Sequence, residues 1–199
     1  MKEYRGIRGL VVAVMSDDTA SELTYGEVKP LAGVATLKRS TESSSDTHYY
    51  DDMAAIVIDS EGADTVECEC SAFEEEVLAE ITGQYYDETL GTLVEGNAQA
   101  PYLALGYITS DTNGKERYVW RLKVKASIPD SEHKTKNNGT DANGQTVKFT
   151  GINTEHKFAK TGKTAKAVIY KADKELFTES EFFASVQDID TIEAKSKAQ

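Results

Sequence analysis

The sequence predicts a mainly β protein, built as a β-sandwich or barrel-like domain with one or two short helices and long loops. Many short segments rich in β-branched and aromatic residues alternate with turn signals along the chain. Only two short segments show the apolar period of a helix, and no internal repeat or linker divides the chain. We therefore expect residues 1–199 to form a single domain.

Size and composition exclude several classes of protein. The chain has 199 residues, of which 39% are apolar, so it can bury one sizeable core. Its longest apolar runs, residues 10–15 and 53–58, have six residues each, whereas a membrane span needs about 20. The first run precedes no cleavage site and is interpreted as a buried strand, not as a secretion signal. A net charge of −12 argues against affinity for nucleic acid or an anionic membrane, and two cysteines cannot form a disulfide framework.

The first third of the chain predicts strands around a polar loop. Strands are expected at residues 6–15, 31–37 and 53–58, with a weaker one at 23–28. Residues 40–52 begin with a polar stretch that has no apolar anchor and are expected to form an extended loop. Residues 60–64 are expected to form a turn.

The next segment changes from a strand period to a helical one. Residues 65–72 alternate, with Cys68 and Cys70 on the apolar face and Glu67 and Glu69 on the polar face. Residues 73–83 then place apolar side chains on one helical face. Ser71 with Glu74 predicts a capping box, and Gly83 predicts the end of the helix.

The clearest element is a hairpin around the Asn-Gly pair at 113–114, with strands at 101–110 and 115–127. Its second strand predicts an apolar face and a basic face; the apolar face holds Tyr118, Trp120, Leu122, Val124 and Ala126. The basic face holds Arg117, Arg121, Lys123 and Lys125.

The C-terminal third begins with residues 128–146, which show no periodicity and predict a second extended loop. Strands are expected at 147–153 and 166–171, and a short helix at 178–187 starts with a capping box of Thr178 and Glu181. Residues 193–199 are expected to be a tail.

The charge is distributed unevenly along the chain. Residues 40–114 contain 17 acidic residues and no Lys or Arg, whereas residues 115–174 contain 14 basic and 6 acidic residues. One interpretation is an ordinary solvated acidic surface. The other is a molecule with one acidic and one basic side, which suits head-to-tail self-association.

Motifs for catalysis or metal binding are incomplete. Residues 160–164 resemble the end of a phosphate-binding loop, but Lys157 stands where that motif needs a glycine. Cys68 and Cys70 lack a second pair of ligands at metal-site spacing and are interpreted as buried apolar residues. We therefore expect no enzyme activity, no cofactor and no metal site.

Several segments together resemble one known family. They are residues 4–13, 40–51, 60–64, 104–107, 117–122, 139–143 and 182–187, and they span nearly the whole chain. In this order they resemble the major tail proteins, or tail tube proteins, of long-tailed, non-contractile bacteriophages and prophages of Gram-positive bacteria. The signal is the joint pattern, because no single motif is chemically diagnostic.

The resemblance implies a structural virion protein with a β-sandwich-like tube domain. Its subunits would form hexameric rings that stack into a tube around the tape-measure protein, with tail terminator and distal tail proteins as further partners. Phage DNA would later pass through the lumen without specific binding. The protein would act in the virion tail, after assembly in the host cytoplasm, with no membrane partner.

Site residues follow from combining this resemblance with the charge pattern. A channel for DNA should repel phosphate, so part of the acidic stretch is expected to face the lumen, with Glu67 and Glu69 as the best candidates. The loops at 40–52 and 128–146 and an N-terminal arm at 1–8 are expected to reach neighbouring subunits. The candidate contact residues are His48, Tyr49, Tyr50, Asn138, Asp141, Arg117, Arg121, Lys123 and Lys125, where the four basic residues could equally be a solvated strand face.

Two alternative functions remain open from the sequence. Another virion ring component, such as a tail terminator or a head–tail connector, would share a related fold. An extracellular carbohydrate-binding or adhesive β-sandwich module would use its tyrosines and Trp120 for sugar stacking, although Trp120 falls on the core face.

Overall fold

A computed structural model describes residues 2–133 and 144–193 of the chain. These residues form a mainly β structure with two short α-helices, which confirms the predicted class. The first strands are β1 (Tyr4–Asp18), β2 (Leu23–Tyr25), β3 (Lys29–Ala32), β4 (Val34–Tyr50) and β5 (Met53–Cys70). Then follow α1 (Glu75–Thr82), β6 (Tyr85–Asp87), β7 (Thr92–Val94), β8 (Leu103–Asp111) and β9 (Glu116–Ala126). The last elements are β10 (Asp130–Ser131), β11 (Gln145–Gly151), β12 (Ala167–Lys171) and α2 (Glu179–Phe182).

The main sheet is antiparallel and curls into a barrel-like shape. β1 pairs with β8, and the order continues through β9, β11 and β5 to β4. Val11 of β1 pairs with Gly106 of β8 on one edge and with Pro30 of β3 on the other. Because β3 continues through Gly33 into β4, the sheet curls back toward its starting strand. Among the described residues β4 pairs with β5 but not with β1, and β12 pairs only with β9, so the barrel is incomplete on this side.

The barrel interior holds the larger of two hydrophobic clusters. Alternate residues of each strand point inward and interlock, including Leu10, Val66, Leu105, Val119 and Phe149. Helix α1 follows β5 after four residues, and Val77, Leu78 and Ile81 of the helix pack with Phe73, which precedes it, against this cluster. The helix therefore closes the end of the barrel at which β5 ends.

A second cluster covers the outer face of β8, β9 and β12. Residues from the C-terminal segment, including Phe158, Phe182 and Phe183, pack onto Tyr118 and Trp120 of β9. Helix α2 begins with the predicted capping box, in which Thr178 and Glu181 bond each other's backbone N–H. The helix ends at Phe182, so it is shorter than the predicted span of 178–187.

A β-bulge divides strand β9 and corrects the prediction of one apolar face. Leu105 pairs with Arg121 but Leu103 pairs with Val124, so β9 has one extra residue over this interval. Beyond this extra residue, the side chains of β9 that would continue the outer face point to the inner face instead. Tyr118, Trp120 and Leu122 consequently face the outer cluster, whereas Val124 and Ala126 lie inside the barrel with Val119.

The structure contradicts three further local predictions. Residues 40–52 do not form an extended loop, because β4 continues to Tyr50 and β5 begins at Met53, and residues 60–64 continue β5 without a turn. The predicted capping box before α1 is also absent: the N-cap is Glu74 with no side-chain bond, and Ser71 Oγ accepts the N–H of Gly33 instead. Gly83 ends the helix with φ of 73°, as predicted.

The other predicted ends are described only in part. Residues 4–8 of the predicted N-terminal arm belong to β1. The described ends of the 128–146 loop pair as β10 and β11, and the rest of that loop, with Asn138 and Asp141, lies outside the described residues. Most of the predicted tail, 194–199, also lies outside them.

Candidate assembly surface

Strands β4 and β5 run past the barrel as an isolated hairpin, which we call the arm and define as residues 42–63. The arm contains eight residue pairs, from Ser43 with Glu61 to Tyr50 with Met53. At about 3.4 Å per residue it extends about 27 Å from the barrel. Asp64 still pairs with Gly151 of β11, but along the arm β5 pairs only with β4 among the described residues. Both outer edges of the arm therefore present backbone groups for pairing.

A two-residue turn closes the arm. Asp51 and Asp52 connect Tyr50 to Met53, and their φ angles are 52° and 61°. Positive φ at both central residues is what a type I′ hairpin turn requires. The sequence signal for this turn is weak, because Asn-Gly or Asp-Gly is the usual pair and Asp at the second position bears some backbone strain.

The arm combines exposed apolar side chains with negative charge. Six large apolar side chains between 49% and 69% exposed lie near its tip, namely Tyr49, Tyr50, Met53, Ile56, Val57 and Ile58. The arm also carries six acidic residues and no Lys or Arg. A two-stranded hairpin without a covered face is only marginally stable in water, and exposed apolar edges promote association with another chain. The arm therefore has the features that are typical of an association surface.

The arm brings together three of the predicted contact residues. His48, Tyr49 and Tyr50 are exposed within three positions of its turn. His48 Nε2 lies 3.4 Å from Asp46 Oδ2 on the same strand. Their predicted contact with a neighbouring subunit stays a prediction, now for a β-hairpin.

A buried carboxylate fixes the base of the arm. Asp64 is 1% exposed, and its Oδ2 accepts a hydrogen bond of 2.8 Å from Nη1 of Arg121. Its Oδ1 accepts from the hydroxyl of Thr41 at 2.9 Å. Arg39 and Lys166 approach the same carboxylate at 3.4 Å each. Three cations and a hydroxyl therefore hold the point at which the arm leaves the barrel.

The barrel opens beside this base into a cavity of about 790 Å³, which we call the mouth. Its lining includes apolar and aromatic side chains from β1, β4, β8, β9 and β12, among them Tyr4, Ile7, Leu37, Tyr107 and Ile169. The charged residues that line it are Arg39, Arg117 and Arg121, without any Asp or Glu. The mouth is thus an apolar recess with a cationic wall.

Arg121 and Lys123 correct the prediction of an exposed basic row. The Arg121 side chain is 6% exposed and bonds Asp64. The Lys123 side chain is also 6% exposed, and its Nζ lies 2.7 Å from Asp18 Oδ2. Both cations are therefore partners of buried carboxylates. A simple alternating pattern would place them on a solvated face of β9, but the bulge and the C-terminal segment enclose this part of the strand.

The other two residues of the predicted row differ from each other. Arg117 is half-buried, 3.9 Å from Asp111 Oδ2, and its guanidinium lies 5.3 Å from the centre of the Tyr4 ring. Lys125 is exposed, with its Nζ 4.5 Å from the centre of the Tyr102 ring. Of the four, Lys125 alone has the exposure that the predicted contact with a neighbour requires.

Glu67 and Glu69 lie on the outward face of β5, as predicted. Glu67 is paired in register with Lys38 of β4 and with Lys148 of β11, so cations flank it on both sides. Glu69 Oε2 accepts a hydrogen bond of 2.9 Å from the Thr36 hydroxyl. This face is a mixed-charge sheet surface rather than a purely acidic one, and its position in a lumen stays a prediction.

Groups with potential reactivity are enclosed in the core. Burial raises the pKa of Cys68 to about 12 and that of Cys70 to about 11, so both thiols stay protonated at neutral pH. No cluster of metal-ligating side chains is present among residues 2–133 and 144–193. Trp120 is fully buried and cannot stack on a sugar. In the same part of the chain, no helix is long and apolar enough to cross a membrane.

The chain matches no protein-family model, and no curated protein matches its sequence. The residues and the geometry of this chain are therefore the evidence for its function.

Two parts of the surface were missed by the sequence prediction. The arm was missed as a hairpin because its first strand is polar and both of its faces are exposed, which removes the alternation that identifies a strand. The β-branched residues at 56–58 were the available signal. The mouth was missed because its arginines come from two strands that are distant in sequence.

Proposed function

We propose that this protein is a structural subunit of a phage tail tube. In this proposal copies of the chain self-assemble into hexameric rings that stack around the tape-measure protein, and phage DNA later passes through the lumen. The tube would be completed by tail terminator and distal tail proteins in the virion tail. The ring number and these partners come from the sequence resemblance.

The observation that carries the proposal is the arm. It extends about 27 Å at the usual strand rise, and it exposes unpaired strand edges and apolar side chains. A monomeric protein gains nothing from such a structure, because exposed strand edges promote uncontrolled association. In a repeated assembly the arm of one copy pairs as an additional strand with a neighbouring copy. Each backbone hydrogen bond formed in this way contributes to the contact.

The charge distribution supports ordered self-association. The arm carries six acidic residues and no Lys or Arg, whereas residues 115–174 carry 14 basic and 6 acidic residues. Unlike charges on different parts of one molecule favour contacts between unlike surfaces of two copies and penalise like-to-like contacts. This preference suits a polymer with one direction.

The test is the assembly state of the purified full-length chain. Sedimentation and negative-stain electron microscopy are expected to show rings and tubes. Single closed rings that never stack would instead favour a tail terminator or connector. A chain that stays monomeric under all conditions and binds glycans would overturn the proposal in favour of a carbohydrate-binding module.

A shortened arm provides the decisive variant. Removing residues 46–58 and joining Ser45 to Asp59 through Asn-Gly keeps the pairing of Ser45 with Asp59 and closes it with a favoured turn. This variant should stay folded, with Trp120 still buried, but should form no tubes. The matched control is Tyr85→Ser with Leu90→Ser, which removes exposed apolar side chains outside the arm and should assemble normally.

A further inference from the structure

The mouth has the chemistry of a site for an apolar group that carries a carboxylate. Its walls are apolar and aromatic, and its charged lining residues are three arginines. Arg121 is almost fully buried, yet its Nε has no hydrogen-bond partner among the described residues. A buried guanidinium N–H without a partner carries a free-energy cost, and a carboxylate brought close to Arg121 reduces that cost by electrostatic attraction. Its volume lies within the usual range for ligand pockets, about 300–1,000 Å³.

The arm tip offers this same chemistry on a second copy. Tyr49, Tyr50 and Met53 are between 61% and 69% exposed and flank the carboxylates of Asp51 and Asp52. The chain's own tip cannot serve, because Arg39 and Arg121 of the mouth contact Asp64 at the base of the same arm. Eight residue pairs at about 3.4 Å each place that tip about 27 Å along the arm.

We propose that the mouth of each copy receives the arm tip of a neighbouring copy, with an aromatic side chain in the apolar recess and an aspartate facing the arginines. This inference rests on the proposed self-assembly and specifies its contact. Charge complementarity favours this docking, since the tip contains no Lys or Arg, whereas Arg39 and Arg121 of the mouth share the single carboxylate of Asp64 and so keep an excess of positive charge. Docking also covers part of the exposed apolar surface of the arm.

Disulfide cross-linking in the assembled full-length protein tests the contact. Chains carrying Tyr50→Cys are mixed with chains carrying Ile169→Cys, assembled and mildly oxidised, and mixed disulfides are identified by mass spectrometry. Ile169 lines the mouth and is 58% exposed. The native thiols do not interfere, because burial keeps both protonated. Met53→Cys is used in parallel, in case the change at position 50 itself prevents assembly.

The matched control replaces Ile169→Cys with Ile128→Cys, which is 63% exposed but follows β9 at the opposite end of that strand. The assembled fraction is expected to contain about tenfold more mixed disulfide with position 169 than with position 128, equivalent to about 1.4 kcal/mol of preference. Equal yields from assembled tubes would overturn the docking while the tube proposal stands. Failure of the wild-type chain to assemble, measured by sedimentation of the same samples, would overturn the tube proposal itself.

Discussion

At the end of β1, the carboxylate of Asp18 joins three segments of the chain. It accepts a hydrogen bond of 2.7 Å from Lys123 Nζ on β9. It also accepts the backbone N–H groups of Glu155 and His156 at 2.9 and 3.0 Å. The carboxylate and the ammonium are 5% and 6% exposed, so neither is well solvated. Breaking such a pair leaves a buried charge without a partner.

The first prediction concerns the pH dependence of this pair. Burial opposes the ionisation of Asp18, but the bonds from Lys123, Glu155 and His156 outweigh it and lower its pKa below 3.8. A lowered pKa contributes stability above pH 3.8, and that stability is lost as the pH falls through the folded-state pKa. Asp18→Asn should lower the free energy of unfolding by about 3 kcal/mol at neutral pH and by less at pH 3, which is below the unfolded-state pKa of 3.8.

Urea unfolding followed by the fluorescence of Trp120, the single tryptophan, measures this difference. The control is Asp17→Asn, a neighbouring and exposed carboxylate, which should change stability little at either pH. An equal loss for Asp18→Asn at both pH values would show that the charge of Asp18 is not responsible.

At the scale of single residues, the sequence shows where a cap is possible but not which partner it takes. Thr178 with Glu181 and Ser71 with Glu74 have the same spacing, and only the first pair forms a capping box. The Ser71 hydroxyl oxygen instead accepts a hydrogen bond from the N–H of Gly33, where β3 passes into β4. A contact across 38 positions has no local signal, so this competition could not be predicted.

Among the elements, strands with one buried face were predictable, whereas in the arm only residues 53–58 were predicted as a strand, from their apolar run. β11 and β12 follow their predicted spans closely because their patterns are regular. In β9 a bulge reverses the faces, and the position of a bulge depends on the partner strand. The arm has no buried face in the monomer, so its sequence contains no alternation of apolar and polar residues.

The second prediction, at the scale of the arm, concerns its turn. The changes Asp51→Asn and Asp52→Gly supply the residue pair favoured in type I′ turns. They reduce the backbone strain that accompanies a positive φ at these two positions. The arm should gain about 1 kcal/mol, which slows amide hydrogen exchange about fivefold along the arm and leaves the barrel unchanged. Asp52→Val is the opposing control, because a β-branched residue at positive φ is strained and should accelerate exchange. Unchanged exchange in both variants would mean that the turn does not limit opening.

For the whole molecule, the packing around the barrel determines which of its surfaces stay accessible for association with other copies. The interior is filled by side chains and α1, and the C-terminal segment covers the outer face of β8 and β9. The outward face of β4, β5 and β11 stays accessible, with Lys38, Glu67 and Lys148 side by side in register. In a ring of copies this face is a candidate for the channel wall, where Glu67 would balance the two lysines.

The last prediction tests this assignment in assembled tubes. Glu67→Gln with Glu69→Gln leaves Lys38 and Lys148 without their acidic neighbour, so a luminal face should begin to retain short duplex DNA. Retention should weaken with salt, and each phosphate contact steepens the logarithmic salt dependence by about 0.9. The matched control is Glu88→Gln with Glu95→Gln, which changes the net charge equally at exposed positions outside this sheet. If both variants retain DNA equally, or neither does, the Glu67 face does not line the channel, and the wall has to be sought on another surface of the barrel.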